Sequence, residues 1–279
     1  MENLNDDKIR QVVRENYAKV AESGGSSCGC GTPSDLPMIN TQCCGGSNSL
    51  QKERPIQDST RMGYSSEELA SVPEGADMGL GCGNPQAIAA LKPGETVVDL
   101  GSGGGFDCFL AANQVGSDGH VIGIDMTPEM ISKARENGLR NEYTNVEFRL
   151  GEIEHLPVAD NSANVILSNC VINLSPDKRS VYREVFRILK PGGRLAISDM
   201  VAIAEIPEEL KKNLDNYCGC ITGTVPAGEI DQMLIEAGFE NIRIQHKDES
   251  KEFVTEWVPG KSIEDYVISA SIEAVKPVN

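Results

Sequence analysis

Nine cysteines but only three histidines stand among 279 residues, so soft-ligand chemistry in this chain would rest on sulfur. Cys28, Cys30, Cys43 and Cys44 lie in SGGSSCGCGTPSDLPMINTQCCGGSNS, a Gly/Ser/Pro-rich loop. Cys82 lies in the Gly-rich turn DMGLGCGNPQ, Cys170 in SNCVINLS at the end of an apolar run, and Cys218 and Cys220 in NYCGCITG. Cys108, inside FDCFLAA, reads as core packing, because free cysteine is among the most buried residue types. Three separate segments can therefore bring one thiol each to a common place, and three thiols suit a soft, three-coordinate centre. Zinc is the competing ligand. A structural zinc site wants four donors, commonly with C-x₂₋₄-C spacing, whereas the close pairs here are C-x-C and C-C.

A second chemical signal is VVDLGSGGGFDCF. A strand ends at Asp99, and Gly101, Gly103 and Gly105 lead into a helix whose free N–H groups can meet an anion. A dinucleotide fingerprint would carry Gly or Ala at position 106. The chain has Phe106 there, and its ring argues against a pyrophosphate seat. Asp125 closes the next strand, where a carboxylate can accept both hydroxyls of a ribose. Glu152 and Ile153 follow the third strand, where an adenine edge would lie. These features suit a nucleoside that bears a small carboxylate, as S-adenosylmethionine does.

The elements that must position these groups are legible from periodicity. Asp6 to Glu22 reads as an amphipathic helix, and Tyr64 to Val72 contains a short one capped by Ser65 or Ser66 with Glu68 following. From Glu95 onward strands alternate with helices. ETVVDLGS, HVIGID, VEFRLGE, ANVILSN and RLAISDMV are the strands, and FDCFLAANQV, TPEMISKAREN and SPDKRSVYREVFRILK the helices between them. Thr127 is expected to cap the second of these helices with Pro128 at its first position. Ser175 is expected to cap the third, and PGG to stop it. Repeated βα units with apolar strands imply a parallel sheet covered on both faces. Beyond Met200, EELKKNLDNY and AGEIDQMLIEAG look helical, and NIRIQHK and DYVISASIEAVK look like strands. A short connection between that late pair would make it antiparallel. Ligands of such sheets bind outside the carboxyl ends of the strands, which is where Cys170 and the Gly loop both fall.

Composition excludes several classes. Against 42 acidic side chains stand 25 basic ones, a net charge of −17, with no Lys/Arg stripe to meet phosphates, so no nucleic-acid partner is expected. The N-terminal MENLNDDKIRQ lacks an apolar signal core, and no stretch approaches the roughly 18 apolar residues of a membrane span. A soluble cytoplasmic protein with no membrane partner is the expectation, and in that compartment thiols stay mostly reduced.

With these motifs in hand, the Gly loop, Asp125 and RILKPGGRLAISD resemble the class I S-adenosylmethionine-dependent methyltransferases. DMGLGCGNPQAIAALKPGETVVDLGSGGGFDCFLAA, HVIGIDMTPEMI and SNCVINLSPDK are similar to the arsenite S-adenosylmethionine methyltransferases. SNCVINLSPDK is the most specific part, since a general methyltransferase has no reason for a thiol there. The resemblance implies an α/β, Rossmann-like class I methyltransferase fold. Its mostly parallel seven-stranded sheet has helices on both faces, with a Cys-containing N-terminal segment and a C-terminal α+β extension. Residues 1–63 would be the N-terminal helix and Cys-rich loop, 64–201 the cofactor domain, and 202–279 the completion of the sheet with an arsenic-binding segment. It further implies that Asp99, Gly101, Gly103, Asp125, Met126, Glu152, Ile153 and Asn169 hold S-adenosylmethionine. Cys82, Cys170 and Cys220 would bind As(III), presented as arsenite or its thiol conjugates. Cys220 matches better than Cys218, because ITG follows it. Cys44, or its neighbour Cys43, is nearest the family's upstream thiol. Arsenic oxidised in the transfer would be reduced by thiols, and a reductant such as thioredoxin or glutathione would reset the resulting disulfide. Two other functions fit parts of the pattern: methylation of another small molecule, which would leave Cys170 dispensable, and arsenic sensing or sequestration without turnover.

Overall fold

A computed structural model describes residues 6–23, 59–207, 210, 220–257 and 261–278. Seven strands form one sheet: β1 (Thr96–Leu100), β2 (His120–Asp125), β3 (Val146–Leu150), β4 (Ala163–Asn169), β5 (Leu189–Ala202), β6 (Glu240–Lys247) and β7 (Val267–Val275). Their order is β3-β2-β1-β4-β5-β7-β6. The first five pair in parallel, and β7 runs antiparallel to both β5 and β6. The late pair is antiparallel as expected, but its connection is long, filling residues 248–266.

The helices follow the same period change seen in the sequence. They are α1 (Asp6–Ser23), α2 (Ser66–Ala70), α3 (Gln86–Ala89), α4 (Phe106–Val115), α5 (Pro128–Arg140), α6 (Lys178–Ile188), α7 (Ala227–Ala237) and α8 (Lys251–Val254). Strand alternation sorts them into two layers, since neighbouring side chains of a strand face opposite ways. Val98, Leu100, Ile122, Ile124 and Ile166 pack with Val181, Val185 and Ile188 of α6 and Ile230 and Leu234 of α7. Val97, Val121, Val165 and Leu167 pack instead with Phe109 and Val115 of α4 and Ile131 and Ala134 of α5. Cys108 is fully buried in that second layer, as its apolar helix foretold.

Caps agree with expectation at α2, where Ser65 and Glu68 form a capping box, and in the placing of Thr127 and Pro128 at α5. Thr127 contributes no side-chain bond there. The Asp125 carboxylate accepts its backbone N–H instead, at 2.8 Å. At α6 the expectation fails. Asp177 is the cap and accepts the Ser180 N–H at 3.0 Å, while Ser175 Oγ, two residues earlier, accepts the Asp177 N–H at 3.1 Å and donates to Glu154 at 2.7 Å. PGG lies after the helix has already ended, inside β5, where Lys190–Gly193 bulge between the Ala163–Leu189 and Val165–Arg194 pairs. EELKKNLDNY, apart from Leu210, lies outside the described residues, as do Cys28, Cys30, Cys43, Cys44 and Cys218.

Candidate active site

The sheet's strand order reverses between β1 and β4, and the carboxyl ends of those two strands open a crevice there. One cavity occupies it, and its lining includes Gly101, Gly103, Asp125, Met126, Thr127, Ile153, Asn169 and Cys170. Gly101 has φ +70°, and a Cβ on it would sit 2.3 Å from Val171 Cγ2. Glycine is the residue that keeps both the turn and the space. Asp125 accepts the Gly103 N–H at 3.0 Å as well as that of Thr127, which fixes its carboxylate at the end of β2, facing the cavity. A glycine-lined wall, one fixed carboxylate and the apolar Met126 and Ile153 fit a nucleoside joined to an amino acid, the shape of S-adenosylmethionine.

Two expected cofactor residues sit elsewhere. Asp99 is buried beneath the Gly loop and does not line the cavity. It accepts the Cys108 thiol at 3.3 Å, and burial with Asp107 nearby pushes its carboxyl well above the usual range. Glu152 has its carboxylate taken up by α1, with Arg14 at 3.2 Å and Arg10 at 3.8 Å. The cavity is lined instead by its near neighbour Glu154, which Arg10 holds at 3.2 Å. Arg10, Val13 and Tyr17 thus bring α1 across the cavity as a further wall. Sequence reading found the helix but not this role, because amphipathicity marks a buried face without saying what it covers. The clue available was two arginines one helical turn apart in an acidic chain.

Asn169 joins this cavity to the thiols. Its Oδ1 accepts the Cys82 N–H at 3.0 Å, and its Nδ2 donates to Gly83 O at 2.8 Å. That clamp folds the 81–83 turn onto the end of β4. Gly81 has room for no side chain, since a Cβ would lie 2.9 Å from the Asn169 amide. Cys82, Cys170 and Cys220 then meet. They are 1%, 7% and 2% exposed, and the sulfurs of Cys82 and Cys170 lie within 4.8 Å of each other. Cys220 donates to Cys170 O at 2.9 Å. Around them lie Val13, Leu174, Met200, Phe253, Val254 and Trp257, so the cluster is dry. Cys170 and Cys220 hold φ near +59° and +58°, a left-handed backbone that a residue with a Cβ pays about 1–2 kcal/mol to adopt. Strain of this kind collects at functional sites, where surrounding structure over-determines it.

The same contacts decide the protonation of the thiols. Its two neighbouring thiols, and then burial, push Cys170 well above the usual cysteine range. Burial raises Cys82 too. Asp199 approaches from β5: one of its carboxylate oxygens and the sulfurs of Cys82 and Cys170 all lie within 4.8 Å of one another. Burial lifts the Asp199 carboxyl to about 6.

Residues 91–238 match the family model described as a methyltransferase domain. An arsenite methyltransferase from Halobacterium salinarum is 52% identical over 97% of this chain and 67% of its own length. The chain belongs to the arsenite methyltransferases. A second member, from Aquipseudomonas alcaligenes, is 42% identical over 85% of this chain and 63% of its own. The chain therefore spans about two thirds of the length of these curated relatives. Among solved structures, an arsenic(III) S-adenosylmethionine methyltransferase from Chlamydomonas reinhardtii superposes with a TM-score of 0.58 at 26% identity, covering 79% of this chain and 73% of that one. The fold is the class I methyltransferase fold, and S-adenosylmethionine is the cofactor of the family. No helix among the described residues is long and apolar enough to cross a membrane.

Proposed function

We propose that this chain methylates arsenite by holding As(III) on Cys82, Cys170 and Cys220 beside the nucleoside cavity. The observation that carries this reading is the gathering of three buried thiols at the mouth of the sheet, with the sulfurs of Cys82 and Cys170 within 4.8 Å and Cys220 bonded to Cys170 O. Arsenite is neutral near pH 7, so an acidic protein does not repel it. Each thiol gives its proton to a departing hydroxide, so that As(OH)₃ and three thiols yield a trithiolate and three waters. The raised pKa values of Cys82 and Cys170 suit that exchange, because the protons needed are on the sulfurs already.

Asp125 would hold the ribose hydroxyls, Gly101 and Gly103 the methionine portion, and Met126 and Ile153 the adenine faces. When bound, S-adenosylmethionine supplies an electrophilic sulfonium methyl to the arsenic lone pair. Asn169 keeps Cys82 aligned with the cavity. The apolar shell around the thiols excludes water, and fixed placement of the reacting groups can supply several kcal/mol of the rate enhancement. Arsenic oxidised by the transfer takes back two electrons when two thiols join as a disulfide. A thiol reductant such as thioredoxin or glutathione reopens it, and Cys44 is proposed as the chain's own resolving or capturing thiol. Methylation in the cytoplasm, as detoxification, is the setting that follows.

The test is incubation of purified protein with labelled cofactor, a reductant and arsenite. Methylated arsenic is expected from the native chain, and none from C170S with cofactor binding retained. Normal turnover by C170S would reduce Cys170 to a packing residue. Replacing Cys28, Cys30, Cys43 and Cys44 together with Ser separates the upstream roles. Slow turnover rescued by more arsenite indicates capture, and one turnover followed by stalling indicates resolution.

A further inference from the structure

Arsenite leaves one donor of this cluster unused. As(III) carries a lone pair in its fourth position and is satisfied by three sulfurs. Asp199 nevertheless brings a carboxylate oxygen within 4.8 Å of the sulfurs of both Cys82 and Cys170. The carboxylate is 2% exposed and held from behind. Its Oδ1 accepts the Met200 N–H and the Asn173 amide, each at 2.8 Å, and Oδ2 accepts the Asn173 N–H at 3.3 Å. Such outer hydrogen bonds are what orient a metal-bound carboxylate. Lys178 stands near Asp199 and Cys220, one positive charge against the negative set.

We propose that Cys82, Cys170 and Asp199, with Cys220 as the fourth donor, also form a site for a divalent thiophilic cation of the Zn²⁺ or Cd²⁺ kind. Such an ion has no lone pair to fill its fourth position and takes four ligands in a tetrahedron. From Zn–S of about 2.3 Å and Zn–O of about 2.1 Å, tetrahedral donors lie about 3.6–3.8 Å apart. The spacing among Cys82, Cys170 and Asp199 therefore closes by about 1 Å, and Cys220, bonded to Cys170 O at 2.9 Å, turns its sulfur inward to complete the set. One sulfur pair serves both ligand sets, so the divalent ion and arsenite exclude each other. Loading releases a proton from each thiol that becomes a ligand, whereas arsenite supplies its own hydroxides to take them. The site itself does not depend on arsenite being the substrate.

Cd²⁺ alone is the probe, titrated into the full, reduced chain and followed by its sulfur-to-cadmium absorption, with C170S as the blank for the remaining thiols. One equivalent is expected beyond that blank, displaced stoichiometrically by arsenite. In D199N the Cd²⁺ affinity should fall relative to the arsenite affinity by about tenfold or more, the scale on which metal sites respond to lost ligands and partners. X-ray absorption at the cadmium edge of the native chain tests the same point without a mutation. Sulfur and oxygen in one shell support Asp199, and an all-sulfur shell overturns it. An unchanged affinity ratio in a folded D199N, or identical uptake by C170S, also overturns the proposal. A chain that binds Cd²⁺ but not arsenite would keep this site and remove the arsenite reading instead.

Discussion

Glycine at position 170 separates the backbone of that residue from its sulfur. The comparison is between C170G and C170A, both of which lose the thiol. At φ +59° the alanine variant still bears the cost of about 1–2 kcal/mol for a Cβ in the left-handed region. Glycine escapes it, but gives up about 0.5–1 kcal/mol in chain entropy and about 0.8 kcal/mol from one buried methyl. These terms nearly cancel, so urea denaturation should find C170G within about 0.5 kcal/mol of C170A. At a buried position with ordinary extended backbone, glycine would be weaker by about 1.5 kcal/mol. That is a difference of about 3–6 °C in Tm for a chain somewhat below this size. Neither variant should methylate arsenite, and both should bind S-adenosylmethionine in calorimetry. A C170G chain weaker by the full ordinary amount would refute the left-handed backbone. Turnover by either variant would refute the sulfur's role. If both hold, the chain carries a Cβ on a left-handed backbone at this position, and the role of the sulfur in turnover is the reason.

Asp125→Ala should weaken S-adenosylmethionine by about 1–3 kcal/mol, the scale of charged hydrogen bonds, with arsenite binding retained; unchanged calorimetric affinity would misplace the ribose. Arg10→Ala should free α1 from Glu154, which is 4% exposed and would keep Ser175 as a partner. Faster amide exchange in α1 and faster cofactor release are expected, and unaltered exchange would mean that the helix is held by packing alone. Stability should fall as pH rises above about 9, the usual value for these thiols. There the unfolded chain gives up thiol protons that Cys82 and Cys170 retain when folded, so the unfolded state gains at alkaline pH. Thermal melts of C170S should show a shallower alkaline fall, and an equal slope would remove Cys170 from the cause.

Local patterns carried most of the fold. The apolar runs from VVDL to RLAISDM and the helical periods between them are short-range properties. β2, β4 and α4 therefore ended where the sequence placed them. The α6 cap did not, because Ser175 and Asp177 are both competent caps, and Ser175 is engaged two residues early, by the Asp177 N–H and the distant carboxylate of Glu154. The same limit applies at the site. Asp125, the glycines and Cys170 are legible because strand ends and turns are written in adjacent residues. That Glu152 answers to α1, that Asp99 lies under the loop rather than in the cavity, and that Asp199 stands beside two thiols are facts of side-chain direction across elements far apart in the chain. Three cysteines separated by 88 and 50 positions announce only that thiols are available. Their meeting depends on the Asn169 clamp, on two left-handed residues and on an apolar shell, which exist once the sheet has formed and its rim has closed.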